Sequence, residues 1–315
     1  MLFLKNYLAV KLGTFYYIPP VNKNMGESLK IPNHGFSLGE DMAIAMLAAK
    51  EAGLIMINGY DKLQTVEEKG IGDLVSKVDR DCDAAIQSKL HGMLPNDDVL
   101  SEELAHDTKE KGQRLWVVDP LDATAAYLFR AGKDIPSVMI ALRENFRTRL
   151  SVILFPLTGE WFYAKEGEGE GAFKDGQRIT TEGVTKNLKE AWVETNHYRD
   201  ISFETPAFAE LCKKLRSPQG PREVRSLMPS AGGIIARIID QQKKIAAIIH
   251  DNNPDRVKQA PWDIIPPQLL IKKAGGIMVN FKNEEVDPFK PEPYIAAGNE
   301  KIATAIVNLL AKQPF

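Results

Sequence analysis

Apolar positions recur at helical spacing early in the chain. Met42, Ala45, Met46, Ala49, Ala52 and Met56 lie on one face of a 3.6-residue period. Ser37-Leu38-Gly39-Glu40 precedes them and reads as a capping box, in which serine caps and glutamate reaches back. The pattern predicts a helix running to about Asn58. Lys62 to Gly72 is charged and unpatterned, as expected of a mobile loop. Ser76 with Asp79 opens a second helix, whose apolar stripe is Val78, Cys82, Ile86, Leu90 and Leu94. Pro95 and Asn96-Asp97-Asp98 end it. Val99-Leu100 reads as a short strand leading into Ser101-Glu102-Glu103. Arg114 to Val118 reads as a strand ending at Asp119-Pro120-Leu121-Asp122-Ala123-Thr124. Pro120 has no amide to donate, so strand pairing is expected to stop there.

Strand patterns follow at Ser137 to Leu142, Arg149 to Phe155 and Glu160 to Ala164, with a turn at Pro156-Leu157-Thr158-Gly159. Asp175-Gly176 is a hairpin turn. After about Thr185 helices and strands alternate. Strands are expected at Trp192 to Glu194, Lys244 to Ile249, Ile277 to Val279 and Tyr294 to Ala297. Helices are expected at Phe208 to Leu215, Ser230 to Asp240, Asp263 to Ala274 and Glu300 to Leu310. The fold class is α/β, with an α+β N-terminal half and an α/β C-terminal half. Residues 1–35 are read as an N-terminal extension, of which Met1 to Tyr17 is apolar and aromatic, interrupted by Lys5 and Lys11. Residues 36–185 and 186–315 form the two parts of the body, and Met25 is an alternative start.

Composition narrows the function. The 315 residues are 44% apolar and 26% charged, ordinary for a globular protein. A net charge of −2 argues against a nucleic-acid polymer as partner. No apolar run is expected to span a bilayer. Cys82 and Cys212 make no disulfide framework, and Cys82 falls on an apolar helix face, so the chain fits a reducing cytoplasm. His91 reads as a helix-surface residue and His250 as a loop residue.

Chemistry gathers instead at acids placed where apolar runs end: Glu102 with Glu103, Asp119 with Asp122, and Asp263 in Pro261-Trp262-Asp263. Carboxylates packed closely repel unless a cation lies between them, and oxygen-only ligands fit Mg²⁺ rather than Zn²⁺. Each acid also has a purely local reading. Asp122 or Thr124 can cap a helix, as can Asp263. Asp79 can complete its own capping box, and Glu102 and Glu103 can be a solvated pair.

Taken together, these residues resemble the inositol monophosphatase family, within the superfamily that also holds fructose-1,6-bisphosphatase. Asp73-Leu74-Val75-Ser76-Lys77-Val78-Asp79 is similar to that family's D-x-V-[ST]-x-x-D. Ser101-Glu102-Glu103 resembles its acidic strand end, and Asp119-Pro120-Leu121-Asp122-Ala123-Thr124 its DPxDxT turn. Gly169-Glu170-Gly171-Ala172-Phe173-Lys174-Asp175-Gly176 resembles its GxGAFxNG hairpin. Trp262-Asp263 with Ala274-Gly275-Gly276 resembles its WD and AGG. The resemblance implies a layered αβαβα sandwich of the sugar-phosphatase type, with Mg²⁺-dependent hydrolysis of a small phosphate ester, two or three ions, sensitivity to Li⁺ and often a homodimer. It implies metal ligation by Glu102, Asp119, the Leu121 carbonyl, Asp122 and Asp263. It also implies phosphate binding by the amides of Ala123 and Thr124, and water activation by Asp79 and Thr124.

Three departures from the family pattern bear on substrate. Ala123 stands where the family turn has glycine, which is tolerated if φ there is negative. Arg225-Ser226-Leu227-Met228-Pro229-Ser230-Ala231 lacks the glycine of the family's R-S-x-G-S-A-A. This leaves Arg225 and Ser230 as candidate substrate contacts, or Ser230 as a helix cap. Pro266-Pro267 and Lys272-Lys273 replace the usual small residues and glutamate, and the lysines form either a solvated face or a phosphate clamp. The leading expectation is an inositol monophosphatase-like phosphatase acting on a small phosphorylated polyol. The alternatives are a 3′(2′),5′-bisphosphate nucleotidase, an inositol polyphosphate 1-phosphatase, or an inactive phospholigand-binding regulator.

Overall fold

Helix α1 (Glu40–Tyr60) is apolar nearly all round because it is sandwiched rather than amphipathic. Met42, Met46, Ala49 and Met56 are fully buried, and Leu29 and Ile31 belong to the same apolar cluster. The computed structural model describes residues 29–32, 39–62, 66–70, 73–103, 113–130, 135–196, 206–226, 230–239, 245–250, 260–290 and 292–311. The serine expected to cap α1 lies outside them, as does most of the N-terminal extension. The helix begins after Gly39, which has φ 79° and no side-chain cap. By length and composition alone α1 is apolar enough to cross a bilayer. In the fold, however, 61% of its most apolar window is buried.

The first half builds a seven-stranded sheet in the order β3-β4-β5-β6-β7-β8-β9. Its strands are β3 (Asp98–Ser101), β4 (Arg114–Asp122), β5 (Ser137–Glu144), β6 (Arg147–Phe155), β7 (Glu160–Lys165), β8 (Gly171–Lys174) and β9 (Gln177–Ile179). Only β3 and β4 run parallel; the remaining neighbours pair antiparallel. The expected Asp175-Gly176 turn joins β8 to β9, with φ values of 49° and 88°. The segment expected to be a loop contains β1 (Val66–Gly70), which pairs antiparallel with β2 (Asp73–Ser76). Its charged sequence hid the strand, whose first residues Val66 and Glu67 are exposed and leave no apolar alternation to read. Helix α2 (Lys77–Met93) follows, capped by Ser76 as expected.

The second half forms a five-stranded sheet in the order β11-β10-β12-β14-β13. Its strands are β10 (Trp192–Asn196), β11 (Glu223–Ser226), β12 (Ile245–His250), β13 (Ile277–Asn280) and β14 (Tyr294–Ala297). The helices are α3 (Thr124–Phe129), α4 (Pro206–Leu215), α5 (Ala231–Ile239), α6 (Pro261–Ala274) and α7 (Glu300–Ala311). His250 is the last residue of β12, buried and stacked on Tyr294 with centroids 5.2 Å apart, rather than a loop residue. Burial lowers its pKa to about 4, so it is neutral near pH 7.

Three buried clusters define the layers. Helices α1 and α2 pack on one face of the seven-stranded sheet. Helices α5 and α6 fill the space between its other face and the five-stranded sheet. Helices α4 and α7 cover the far side of the five-stranded sheet. The result is the expected αβαβα sandwich. The N-terminal ends of α5 and α6 meet the end of β4 in its middle layer.

Candidate metal centre

Strand β4 does not stop at Pro120; it resumes. Asp119 lies opposite Met139 and Asp122 opposite Ser137, so Pro120 and Leu121 together face Val138 alone. This is a bulge, and the absent proline amide explains its place. Its effect is on parity. Residues three apart in a regular strand point to opposite faces, and one extra residue restores the same face. The bulge therefore turns Asp119 and Asp122 toward one another. Trp262 packs with Leu100, Leu115, Val117, Ala141 and Ile265 against the same sheet, which brings in the first turn of α6. Asp119, Asp122 and Asp263 then offer carboxylate oxygens that all lie within 4.8 Å of one another.

Burial pushes the Asp119 carboxyl well above the usual carboxylate range, and the charges of Glu102, Asp122 and Asp263 push it further. Asp122 is also raised by burial, while hydrogen bonds from Ser230, Gly232, Ser137 and Ala231 pull against that shift. Glu102 is half-buried just after β3, with its amide donating to Val118 O at 3.2 Å. It lies beyond the tight trio, and after burial it is the largest influence on Asp119. Such a set of oxygens under mutual repulsion fits a hard divalent cation.

Structural duty falls on particular carboxylate oxygens. Asp122 Oδ2 accepts from Ser137 Oγ at 3.0 Å and Gly232 N at 2.9 Å. Asp263 Oδ2 accepts from Ala260 N at 2.8 Å, closing the start of α6. Asp119 Oδ1 accepts from Leu121 N at 3.1 Å. Asp79 Oδ2 accepts from Ser76 N at 2.8 Å, and its Oδ1 accepts the Thr124 hydroxyl at 2.9 Å. Thr124 Oγ1 also lies 3.0 Å from the Leu121 carbonyl oxygen. Asp79 is 1% exposed, and burial raises its pKa. Gly232 has no substitute here: a Cβ on it would stand 2.3 Å from Ser137 Oγ and 3.0 Å from Asp122 Oδ2.

Ala123 does not meet the condition under which an alanine is accommodated without strain. Its φ is 64° and ψ 45°, the left-handed region. An alanine there costs about 1–2 kcal/mol, and a glycine loses about 0.5–1 kcal/mol of chain entropy instead. Ala123→Gly is expected to stabilise the protein by roughly 0.5–1 kcal/mol, read as a raised urea midpoint with an unchanged slope. A lowered midpoint would show that the alanine methyl is held by favourable packing. Helix α3, which Ala123 opens, has six residues. An anion at this turn would therefore meet first-turn amides, which have no intrahelical acceptors, rather than a long helix dipole.

Of the remaining expected residues, Ser230 reaches the centre through Asp122, while Arg225 and the two lysines lie apart from it. Ser230 Oγ accepts from Gly233 N at 3.1 Å, so the serine caps α5 while also hydrogen-bonding Asp122. Arg225 is exposed on edge strand β11, with its guanidinium 4.3 Å from the Trp192 ring centroid. Lys272 pairs with Glu285 at 2.9 Å and Lys273 with Glu170 at 2.9 Å. Both lysines sit at the end of α6 remote from Asp263, so they are no phosphate clamp. Sequence reasoning missed Ser137 and Gly232, whose roles depend on the bulge register. It also missed Asp83, which follows Asp79 by one helical turn.

Comparison with known proteins agrees with this architecture. A sequence model of the inositol monophosphatase family matches residues 38–313. The Thermotoga maritima protein named fructose-1,6-bisphosphatase/inositol-1-monophosphatase is 28% identical, over 79% of this chain and 87% of its own length. Nus factor SuhB of Escherichia coli K12 is 26% identical, over 84% of this chain and 93% of its own. The solved Thermotoga maritima IMPase superposes with a TM-score of 0.68 at 25% identity, covering 86% of this chain and 95% of its own.

Proposed function

This chain belongs to the inositol monophosphatase family, and we propose that it is a Mg²⁺-dependent phosphatase of a small phosphorylated polyol. The observation that carries the reading is the trio of buried Asp119 and Asp122 with half-buried Asp263, held together at a cost in repulsion that a bound cation removes. Glu102, Asp119, the Leu121 carbonyl, Asp122 and Asp263 would hold two or three Mg²⁺ ions. When bound, Mg²⁺ neutralises phosphate oxygens, acidifies water and stabilises the leaving oxygen.

The chain's own groups do the rest. The amides of Ala123 and Thr124 would receive the phosphate. The Thr124 hydroxyl, donating to Asp79 Oδ1, leaves its oxygen lone pairs to accept a hydrogen bond from the attacking water. Asp79 is the group able to receive the proton relayed through that hydroxyl, and its raised pKa makes it a better base than an exposed aspartate. Placement rather than covalent chemistry is the protein's contribution.

The test is phosphate release by the purified full chain from a panel of polyol monophosphates, sugar phosphates, 3′,5′-bisphosphate nucleotides and inositol polyphosphates, with and without Mg²⁺ and Li⁺. Mg²⁺-dependent release that is greatest from a polyol monophosphate and suppressed by Li⁺ is expected. Preferential release from a bisphosphate would move the substrate and keep the chemistry. Tight Mg²⁺ and phosphate binding without release from any ester would instead make the chain a binding protein.

A further inference from the structure

Asp83 is a buried acid for which the chemistry above has no use, and we propose that it is a positioning residue for Glu102. The inference rests on the metal-centre reading and adds one residue to it. Asp79 and Asp83 lie one turn apart on α2 and are 1% and 3% exposed. Each reaches the end of a strand. Asp79 takes the Thr124 hydroxyl beyond β4, and Asp83 Oδ1 takes the Ser101 hydroxyl at the end of β3. The other Asp83 oxygen accepts from Gln87 Nε2 at 2.8 Å. Both of these donors, a hydroxyl and a carboxamide, are neutral. An apolar side chain would fill this place without the desolvation that a carboxyl group suffers, so stability does not account for Asp83.

Geometry supplies the account. β3 is the edge strand of its sheet, four residues long, with β4 alone beside it. Its last rungs are Ser101 opposite Val118 and the Glu102 amide on Val118 O. Successive side chains alternate faces. Ser101, pinned to α2 on one face, therefore fixes Glu102 toward the other, where Leu100 and Val117 pack against α6 and where Asp119 and Asp263 meet. Glu102 is the acid outside the tight trio. Its distance from the cation depends on how firmly the edge strand ends, and Asp83 is what fastens that end.

Mg²⁺ titration calorimetry on the full chain without substrate tests this. Wild type, Asp83→Ala, Ser101→Ala, the double variant and Asp83→Asn are compared, with Asp119→Asn as the control that removes a ligand. Each alanine variant is expected to bind Mg²⁺ about tenfold more weakly, the usual loss for a group that orients a ligand. The double variant should lose no more than either single one, since both break the same link. Asp83→Asn keeps an oxygen for the Ser101 hydroxyl and should stay close to wild type. A lowered melting temperature with unchanged Mg²⁺ affinity would overturn the proposal, as would additive losses or an asparagine variant as weak as alanine. If Asp83→Ala fails to fold, Ser101→Ala alone decides, because it deletes only the hydroxyl. A wild-type chain that binds no Mg²⁺ would refute the metal centre itself. Normal wild-type binding, undisturbed at Asp83 and Ser101, would refute only this role.

Discussion

Asp119→Asn is expected to lower Mg²⁺-dependent turnover by about 10³-fold or more, at least ~4 kcal/mol of transition-state stabilisation, while raising the stability of the metal-free protein. The two effects share one cause. Asp119 is buried among Glu102, Asp122 and Asp263, and its carboxyl holds its proton to higher pH in the folded chain than in the unfolded one. The folded state then binds more protons, so stability falls as pH rises from the unfolded pKa, near 4, through the folded value. Asparagine removes that loss. The stability gap between variant and wild type should be near zero at the acid end and widen toward neutrality. Mg²⁺ should close the gap by stabilising wild type, by ~2.7 kcal/mol at one hundred times its dissociation constant, and should do little for the variant. Melting temperatures against pH, with and without Mg²⁺, measure this. Near-wild-type hydrolysis by Asp119→Asn at saturating Mg²⁺, or a gap that narrows with rising pH, would remove Asp119 from the site.

Asp79→Asn is the second large effect, at about 10²–10⁴-fold in kcat, the range for a lost general base. Asparagine preserves one acceptor where the carboxylate supplied two. Ser76 and Thr124 must therefore compete for it, and the hydroxyl of Thr124 loses its proton acceptor. Thr124→Val should match that loss, and the double variant should fall little further, because the pair works as a unit. Burial raises the Asp79 pKa, so this group should set an acid limb of the kcat profile above the ordinary aspartate range. That limb should vanish in Asp79→Asn. Retention of both rate and limb would show that Asp79 is only a helix cap.

Asp79 and Asp263 show how much of the site was legible in the sequence. For each, a capping role and a chemical role stood as alternatives. The structure gives both aspartates a helix-start hydrogen bond and still brings them to the site. A carboxylate has two oxygens, so a capping signal does not argue against function. Most elements followed from hydrophobic period and turn residues, whereas the sandwich layers came from the family resemblance. What stayed hidden was set by pairing partners. The bulge at Pro120-Leu121 is defined by Val138, far along the chain. The left-handed Ala123 follows from that bulge's exit, and no local preference announces it. Edge strand β11 carries a charged four-residue sequence with no alternation to read. Asp83 did leave a signal, an acid four residues after Asp79 beside an apolar stripe, but its meaning required knowing that Ser101 lies opposite.

The acids of the centre enter the chain at widely separated points, with Asp119 and Asp122 at the end of β4 and Asp263 at the start of α6. No short peptide cut from this protein holds the set. During synthesis on a ribosome, β4 emerges with its repelling carboxylates long before α6 exists. A cation that needs all three carboxylates could be captured only once α6 has joined β4, so its binding would report that the two ends have met.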